Sequence, residues 1–268
     1  MLLPPEHRFL DDEALHLGLG EAARQFRVFQ LEDVDSTQQM LRDWIRQEAL
    51  PSGFCLVARQ QRAGQGRRGR VWWSDADASL TFSLWWGLAD PPHALSALGL
   101  VVSLALVEAL EKLGVDAGLK WPNDVMSGVG KAGGVLIHLM PSAQGTSGAV
   151  IGIGLNLSLP EPSLAIQQPV ARLVDAQGRA PDRAQLLGYV LASLARRLAS
   201  PRQDWEEDWL ARCVHHRQWV SLLQPDGTVV RGQSVGVAAS GGLLVRREDG
   251  RTDCYHGGEI SLRYDTTP

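Results

Sequence analysis

The sequence predicts an α/β (α+β) protein: a mixed, largely antiparallel sheet flanked by helices, followed by a small all-β unit. Three observations predict it. Strand-like runs near 117–121, 124–127, 132–140 and 147–157 follow one another with only short turns between them, which favours a mixed or antiparallel sheet over a doubly wound one. A strongly apolar stretch, Pro92 to Leu113, has helical length and reads as a helix buried against that sheet. From about residue 217 the pattern changes to short strands punctuated by Pro225-Asp226-Gly227, Ser240-Gly241-Gly242 and Glu248-Asp249-Gly250.

Taken in order, residues 1–27 form a short lead-in that contains a helix. Arg27 to Val34 reads as a strand, and Ser36 opens the next helix, with Gln39 three residues on completing a capping box. Phe54 to Arg59 is a strand that leads into a glycine-arginine loop, and Ser79 to Trp86 alternates as another. Gln144 to Gly148 reads as a hairpin turn between the last two runs of the large sheet. Residues 158–182 hold Pro160, Pro162, Pro169 and Pro181 and form a loop; Arg183 to Leu198 and Asp204 to Cys213 are helical. The shift in pattern sets a boundary at 215, so the predicted units are 1–27, a catalytic domain over 28–214, and a small domain over 215–268.

Composition narrows the function. A formal net charge of −4 argues against a strongly basic nucleic-acid surface. With 44% hydrophobic and 21% charged residues the chain is an ordinary globular one, neither disordered nor collagen-like. Its three cysteines, Cys55, Cys213 and Cys254, show no metal or disulfide spacing, and Cys55 lies in an apolar run as a small buried hydrophobe. The start of the chain carries acids and prolines rather than a signal-peptide pattern, and the longest apolar run is too short for a bilayer span. A cytoplasmic location without membrane contact is the expectation. In the adjacent tryptophans Trp72-Trp73 and Trp85-Trp86, one of each pair is expected to face inward.

Chemistry concentrates in two segments. Ala63 to Trp72 reads AGQGRRGRVW, and with Arg62 it packs four arginines and three glycines into nine positions. Glycine permits close approach of backbone to ligand. Arginine offers planar, permanently charged forks for phosphate and carboxylate. About fifty residues later Lys120-Trp121-Pro122-Asn123-Asp124-Val125 precedes Lys131-Ala132-Gly133-Gly134-Val135. A local basic loop, two lysines and an aspartate within an acidic whole point to a small anionic ligand and to activation of a nucleotide.

These segments, with Asp35-Ser36-Thr37-Gln38, Gly152 to Leu157 and Gly257 to Arg263, resemble in sequence and in order the biotin protein ligases, over residues 35 to 263. The resemblance implies a catalytic domain like those of class II aminoacyl-tRNA synthetases and biotin ligases, with a carboxy-terminal SH3-like barrel. It implies an ATP-dependent enzyme that converts biotin to biotinyl-5'-adenylate and passes it to a carrier-protein lysine, by default on the biotin carboxyl carrier subunit of acetyl-CoA carboxylase. The short lead-in suits the ligase-only type without an amino-terminal DNA-binding domain.

By the same resemblance Lys131 lies where the biotin carboxylate meets the α-phosphate, and Arg67 contacts the acyl phosphate. Ser36, Thr37, Gln38, Gln61, Gln65, Gly66, Arg67 and Lys131 surround biotin. Arg67, Arg68, Arg70, Trp72, Lys120, Asn123, Asp124, Lys131, Asn156 and Arg263 serve ATP and the adenylate. Asp124 positions or deprotonates the carrier lysine, or places magnesium. Lys120 is either a phosphate ligand or an ordinary ion-pair partner, and Arg263 either reaches the triphosphate from the second domain or is a surface residue. The loop is expected to extend, with one arginine turned to solvent, and to close as a lid over the adenylate. Thr37 and Gln38 should be free to face a ligand, and Gly133-Gly134 should let ligand and backbone meet. His138 receives no role, and His215-His216 mark the join between domains.

Gln65 departs from the family, which places arginine there; it keeps hydrogen bonding and loses the charge. Magnesium is implied by the ATP chemistry, with no visible ligand cluster. Partners are biotin, ATP and the carrier, with no DNA; a homodimer through sheet edges is possible. The alternatives are a lipoate-type carrier-protein ligase, and a biotin-binding protein or regulator with weak transfer activity.

Overall fold

The computed structural model describes residues 5–48, 50–88, 95–141, 147–158, 169–199, 205–224, 227–256 and, for the backbone, 261–264. Residues 144–146 of the turn expected at 144–148, most of the proline loop, the start of the helix expected at Pro92, and Pro225-Asp226 lie outside these residues, while Ser147 and Gly148 already belong to a strand.

Seven strands form the large sheet: β1 (Arg27–Val34), β2 (Phe54–Gln61), β3 (Ser79–Gly87), β4 (Gly118–Lys120), β5 (Asp124–Ser127), β6 (Gly130–Pro141) and β7 (Ser147–Asn156). Their spatial order is β1-β2-β3-β7-β6-β5-β4. β1 and β2 are parallel because α2 (Thr37–Gln47) crosses between them; the remaining pairs are antiparallel. The sheet is mixed, as expected.

Alternation along the strands separates two cores. In β2, Cys55 and Val57 face one side, while Phe54, Leu56 and Ala58 face the other. The first side packs under α3 (Leu95–Lys112), whose residues Leu100 to Leu110 are nearly all inaccessible except where Glu108 meets Arg196 and Arg197. A helix apolar on every face needs cover all round. Here α4 (Arg183–Ala199) and α5 (Trp205–Ala211) provide it. α1 (Asp12–Leu19) lies against α4 at Gly18 and Gly188, where a Cβ on either would come within 3 Å of the opposing backbone. The lead-in helix therefore shares this core. The second side packs under α2 through Phe29, Trp44, Ile45 and Trp85.

Ser36 caps α2 and accepts from Gln39 N–H, but the Gln39 side chain pairs forward with Asp43. Only half of the expected capping box forms, because the Gln39 side chain is drawn one turn forward, its Nε2 donating to Asp43 and its Oε1 accepting from Arg42.

The second sheet contains β8 (Trp219–Leu223), β9 (Val229–Val237), β10 (Leu243–Arg246), β11 (Thr252–Tyr255) and β12 (Ser261–Tyr264), ordered β11-β10-β9-β8-β12. All of its pairs are antiparallel. Val220, Leu222, Val230, Val237, Leu243 and Val245 join the core under α3, so the small sheet is packed onto the larger unit.

Candidate active site

One cleft gathers most of the residues predicted from sequence. It lies on the α2 side of the large sheet, beside the first turn of that helix. Its floor follows from register: Ser83 pairs with Gly152, which pairs with Leu136, and one step along Gly154 pairs with Gly134. Strand side chains alternate, so these residues share a face. Small residues at period two across β3, β7 and β6 leave a hollow that larger ones would fill.

The floor is tightly matched to what lies over it. A Cβ on Gly152 would fall 2.9 Å from Gln38 Nε2, and one on Gly154 would fall 2.4 Å from Trp72 Cε2. Gly133 and Gly134 divide by task. Alternation from Leu136 puts Gly134 on the cleft face, and the bulge between Val125 and Met126 returns Lys131 to that face. Lys131 Nζ is 3.4 Å from where a Gly134 Cβ would lie, while a Cβ on Gly133 would strike Leu155 and Gly154 O. The expectation that both admit ligand is corrected: Gly133 is a packing residue.

At one end the cleft is uncharged and polar. Gln61 Oε1 accepts from Thr37 N–H at 2.8 Å and from Thr37 Oγ1 at 2.9 Å, and Thr37 Oγ1 also meets Ser83 Oγ at 2.9 Å. Gln38 Nε2 donates to Leu136 O at 2.7 Å. The sequence left Thr37 and Gln38 free to face a ligand; instead the Thr37 hydroxyl and the Gln38 Nε2 are committed to this network. Buried polar groups find partners when no ligand supplies them, and the network holds the walls in place.

At the other end the cleft is cationic. The glycine-arginine segment is not extended: Gly66 N–H donates to Arg70 O and Trp72 N–H to Gly64 O, Gln65 bridges Val71, and residues 67–69 form one tight 3-10 turn. The turn closes through positive φ at Arg68 (58°) and Gly69 (70°). This hairpin lays Trp72 over Gly154 and leaves Arg68 and Arg70 exposed, while Arg67 points inward and donates to Asn123 Oδ1 at 3.1 Å. Burial lowers the Arg67 pKa from its ordinary value; Arg68 and Arg70 act in the same direction and Asp124 opposes them. A guanidinium nevertheless stays charged.

Between the ends, Lys131 Nζ stands 2.6 Å from Asp124 Oδ1 and 6.0 Å from the Trp72 ring centre. Asn123 is held from behind by donating to Val135 O at 2.6 Å, and the Trp121-Pro122 peptide in the same segment is cis. Lys120 also lines the cleft.

Of the predicted residues, Asn156 does not line the cleft, and the role expected of the Arg263 side chain falls outside the described residues. Asn156 is buried at the end of β7, faces the 171 loop where it donates to Ala171 O at 3.4 Å, and does not line the cleft. Two residues on from Gly154, it shares the face of Gly152 and Gly154 but lies past the end of the cleft, beside the 171 loop. The backbone of Arg263 pairs with Ser221, and its side chain lies outside the described residues. Ser83, Gly152, Gly154 and Trp121 line the cleft without having been assigned a site role. Small or polar residues at period two within otherwise apolar strands were the available signal.

Residues 31–156 match the model of the Biotin/lipoate A/B protein ligase family, and residues 218–263 that of the Biotin protein ligase C terminal domain. The bifunctional ligase/repressor BirA of Salmonella typhimurium is 34% identical over 267 residues, covering 97% of this chain and 81% of that protein. The biotin--[acetyl-CoA-carboxylase] ligase of Mycobacterium tuberculosis is 30% identical over 269 residues, covering 97% and 96%. Among solved structures, the biotin protein ligase from Aquifex aeolicus in complex with biotin and ATP superposes with a TM-score of 0.76 at 31% identity, covering 89% of this chain and 99% of that one.

Proposed function

The chain belongs to the biotin protein ligase family, and we propose that it activates biotin with ATP as biotinyl-5'-adenylate and passes the acyl group to a specific lysine of a biotin carrier protein. The observation that carries the reading is the division of one cleft into a neutral polar end and a cationic end, with Lys131 at the join. Biotin has the matching shape: an uncharged ureido ring that needs donors and acceptors, an apolar chain, and a carboxylate at the far end.

In the first step a carboxylate oxygen attacks the α-phosphorus of ATP; a P–O bond forms, the α–β bridge breaks and pyrophosphate leaves. Two anions must meet, so fixed positive charge at the meeting point lowers the barrier. Lys131 supplies it, with Arg67 beside it. Arg68, Arg70 and Lys120 serve the phosphates, and Trp72, packed on Gly154, separates the ring end from the hairpin. The floor, Ser36, Thr37, Gln38, Gln61 and Ser83 surround the ring. In the second step the carrier amine attacks the acyl carbon and AMP leaves. Asp124, 2.6 Å from Lys131, is the carboxylate placed to accept the amine's proton.

Magnesium enters as the Mg–ATP substrate. Among the described residues no group of three or more His, Cys, Asp or Glu could hold a metal, and Asp124 is the one carboxylate lining the cleft. An ion carried mainly by phosphate oxygens and water fits that donor set.

The carrier is read as a biotin carboxyl carrier protein. The unit boundaries at 27 and 215 and a homodimer through sheet edges are likewise proposed. Three free cysteines suit a reducing cytoplasm, and no described helix is long and apolar enough to cross a membrane.

Transfer of labelled biotin to a purified carrier domain, with Mg–ATP and with lipoate as competitor, tests the reading. Efficient biotin transfer that lipoate does not suppress is expected. Preference for lipoate would move the substrate to the other branch of the matched family, and biotin binding without transfer would leave a binding protein.

A further inference from the structure

His215 lies at the foot of the small sheet, just after α5, and is fully buried. Its Nε2 meets the backbone N–H of Trp121 at 3.0 Å, and its Nδ1 meets Ser234 Oγ on β9 at 3.0 Å. A backbone N–H can only donate, so Nε2 accepts, the proton sits on Nδ1, and Ser234 Oγ receives it. Trp121 is tied to the same sheet a second time, its indole N–H donating to Gly241 O at 3.0 Å. The Trp209 ring packs edge-on against the imidazole. Filling that space alone would ask only for an apolar ring; two satisfied ring nitrogens point to a bonding role.

Trp121 stands within the segment that lines the cleft. Two and three residues on, Asn123 accepts from Arg67 and Asp124 pairs with Lys131. We propose that His215 is a positioning residue for adenylate formation, anchoring the Lys120–Asp124 segment to the small sheet through the Trp121 amide and so setting the Asp124–Lys131 and Asn123–Arg67 contacts. The proposal rests on the reading of that cleft as the adenylating site. It also predicts a division: the ring-binding end, built on α2, β3 and β7, is not touched by this strut.

The test compares the full-length wild type with His215→Phe, His215→Gln and Ser234→Ala. Three readouts are used: biotin binding by calorimetry, biotin-dependent exchange of pyrophosphate into ATP, and hydrogen exchange of the peptide spanning 118–126. His215→Phe keeps ring volume and loses the acceptor; its kcat for pyrophosphate exchange is expected to fall about tenfold or more, as for one lost buried hydrogen bond at a reacting centre. Biotin affinity and the KM for biotin should stay within about twofold of wild type. Faster hydrogen exchange in 118–126 should accompany the loss. His215→Gln, whose amide oxygen reaches the Nε2 position, should recover most of the rate. If His215→Phe does not fold, Ser234→Ala, which leaves the Trp121 bond but frees the ring to turn, should show the same split more weakly.

Unchanged kcat with unchanged hydrogen exchange overturns the proposal. So does a parallel loss of biotin affinity and rate that glutamine does not rescue, which is what a packing role would give. A wild type inactive in exchange refutes the functional reading instead, and hydrogen exchange in 118–126 still decides whether the anchor exists.

Discussion

Lys131 and Asp124 form an ion pair of 2.6 Å across a strand bulge, each side chain only 20% exposed. The amine is held at the junction of the neutral and cationic ends of the cleft, already paired before any anion arrives. An arriving carboxylate must compete with Asp124 for it, and in doing so would release that carboxylate toward the acceptor side.

Replacing Lys131 with alanine is therefore expected to remove adenylate formation rather than biotin affinity. A fall of about 100-fold to 1,000-fold in pyrophosphate exchange is the size expected for one fixed charge at a transition state. Biotin titration should show a much smaller change. Equal losses in both would place the lysine in ground-state binding only.

Gly154→Ala is expected to strain the site without disrupting the sheet. Its Cβ would fall 2.4 Å from Trp72 Cε2, so the indole must leave the floor. Overpacking of this kind costs about 1–3 kcal/mol, readable as a shift in the urea midpoint, and the displaced hairpin should lower transfer to the carrier. Activity and stability both equal to wild type would show that Trp72 does not depend on this contact.

Gln65→Arg restores a cation in a hairpin whose other arginines are Arg67, Arg68 and Arg70. Gln65 is exposed and bridges Val71 through its backbone alone, so the substitution should fold normally. Release of the adenylate in single-turnover experiments is expected to slow about threefold to tenfold, as for one added charge-assisted contact. Unchanged release would mean that the side chain at 65 points away from the phosphate.

Acid should weaken the fold through His215. Burial pulls its pKa down to about 3, with the charge of Lys120 adding to the effect and His216 a smaller contribution. The unfolded imidazole protonates near the ordinary value of about 6.5. Between those two values the unfolded chain binds the extra proton, so this stability is complete above about pH 6.5 and declines as pH falls, by about 1.4 kcal/mol per unit. His138 and His216 are lowered too and act with the same sign. Urea midpoints of wild type and His215→Phe between pH 7 and 5 should converge on acidification; parallel curves would show that His215 is not a buried neutral base.

Local pattern carried much of the fold. β1 occupies the residues expected of it, α4 ends within a residue of its expected limit, and the change of rhythm near 217 precedes β8 by two residues. In α4 and β8 one face is buried, so period 3.6 or two in the sequence is itself the record of burial. β1 instead buries Phe29, Gln30 and Leu31 in succession and was legible from its apolar run. The cleft was legible as far as motifs ran: Ser36, Thr37, Gln38, Gln61, Arg67, Lys120, Asp124 and Lys131 come together from α2, β2, the hairpin, β4, β5 and β6.

The sequence by itself determined the residue chemistry, the order of the elements, and the resemblance that names a substrate class. Tertiary structure decided which glycine floors the cleft and which only packs, that the arginine segment is a closed hairpin, that Asn156 bonds to the 171 loop, and that His215 reaches the Trp121 amide. The physical reason is that these depend on strand register, on a bulge between Val125 and Met126, and on one sheet docking against another. Each is set by contacts between residues tens of positions apart, and no local spacing encodes them.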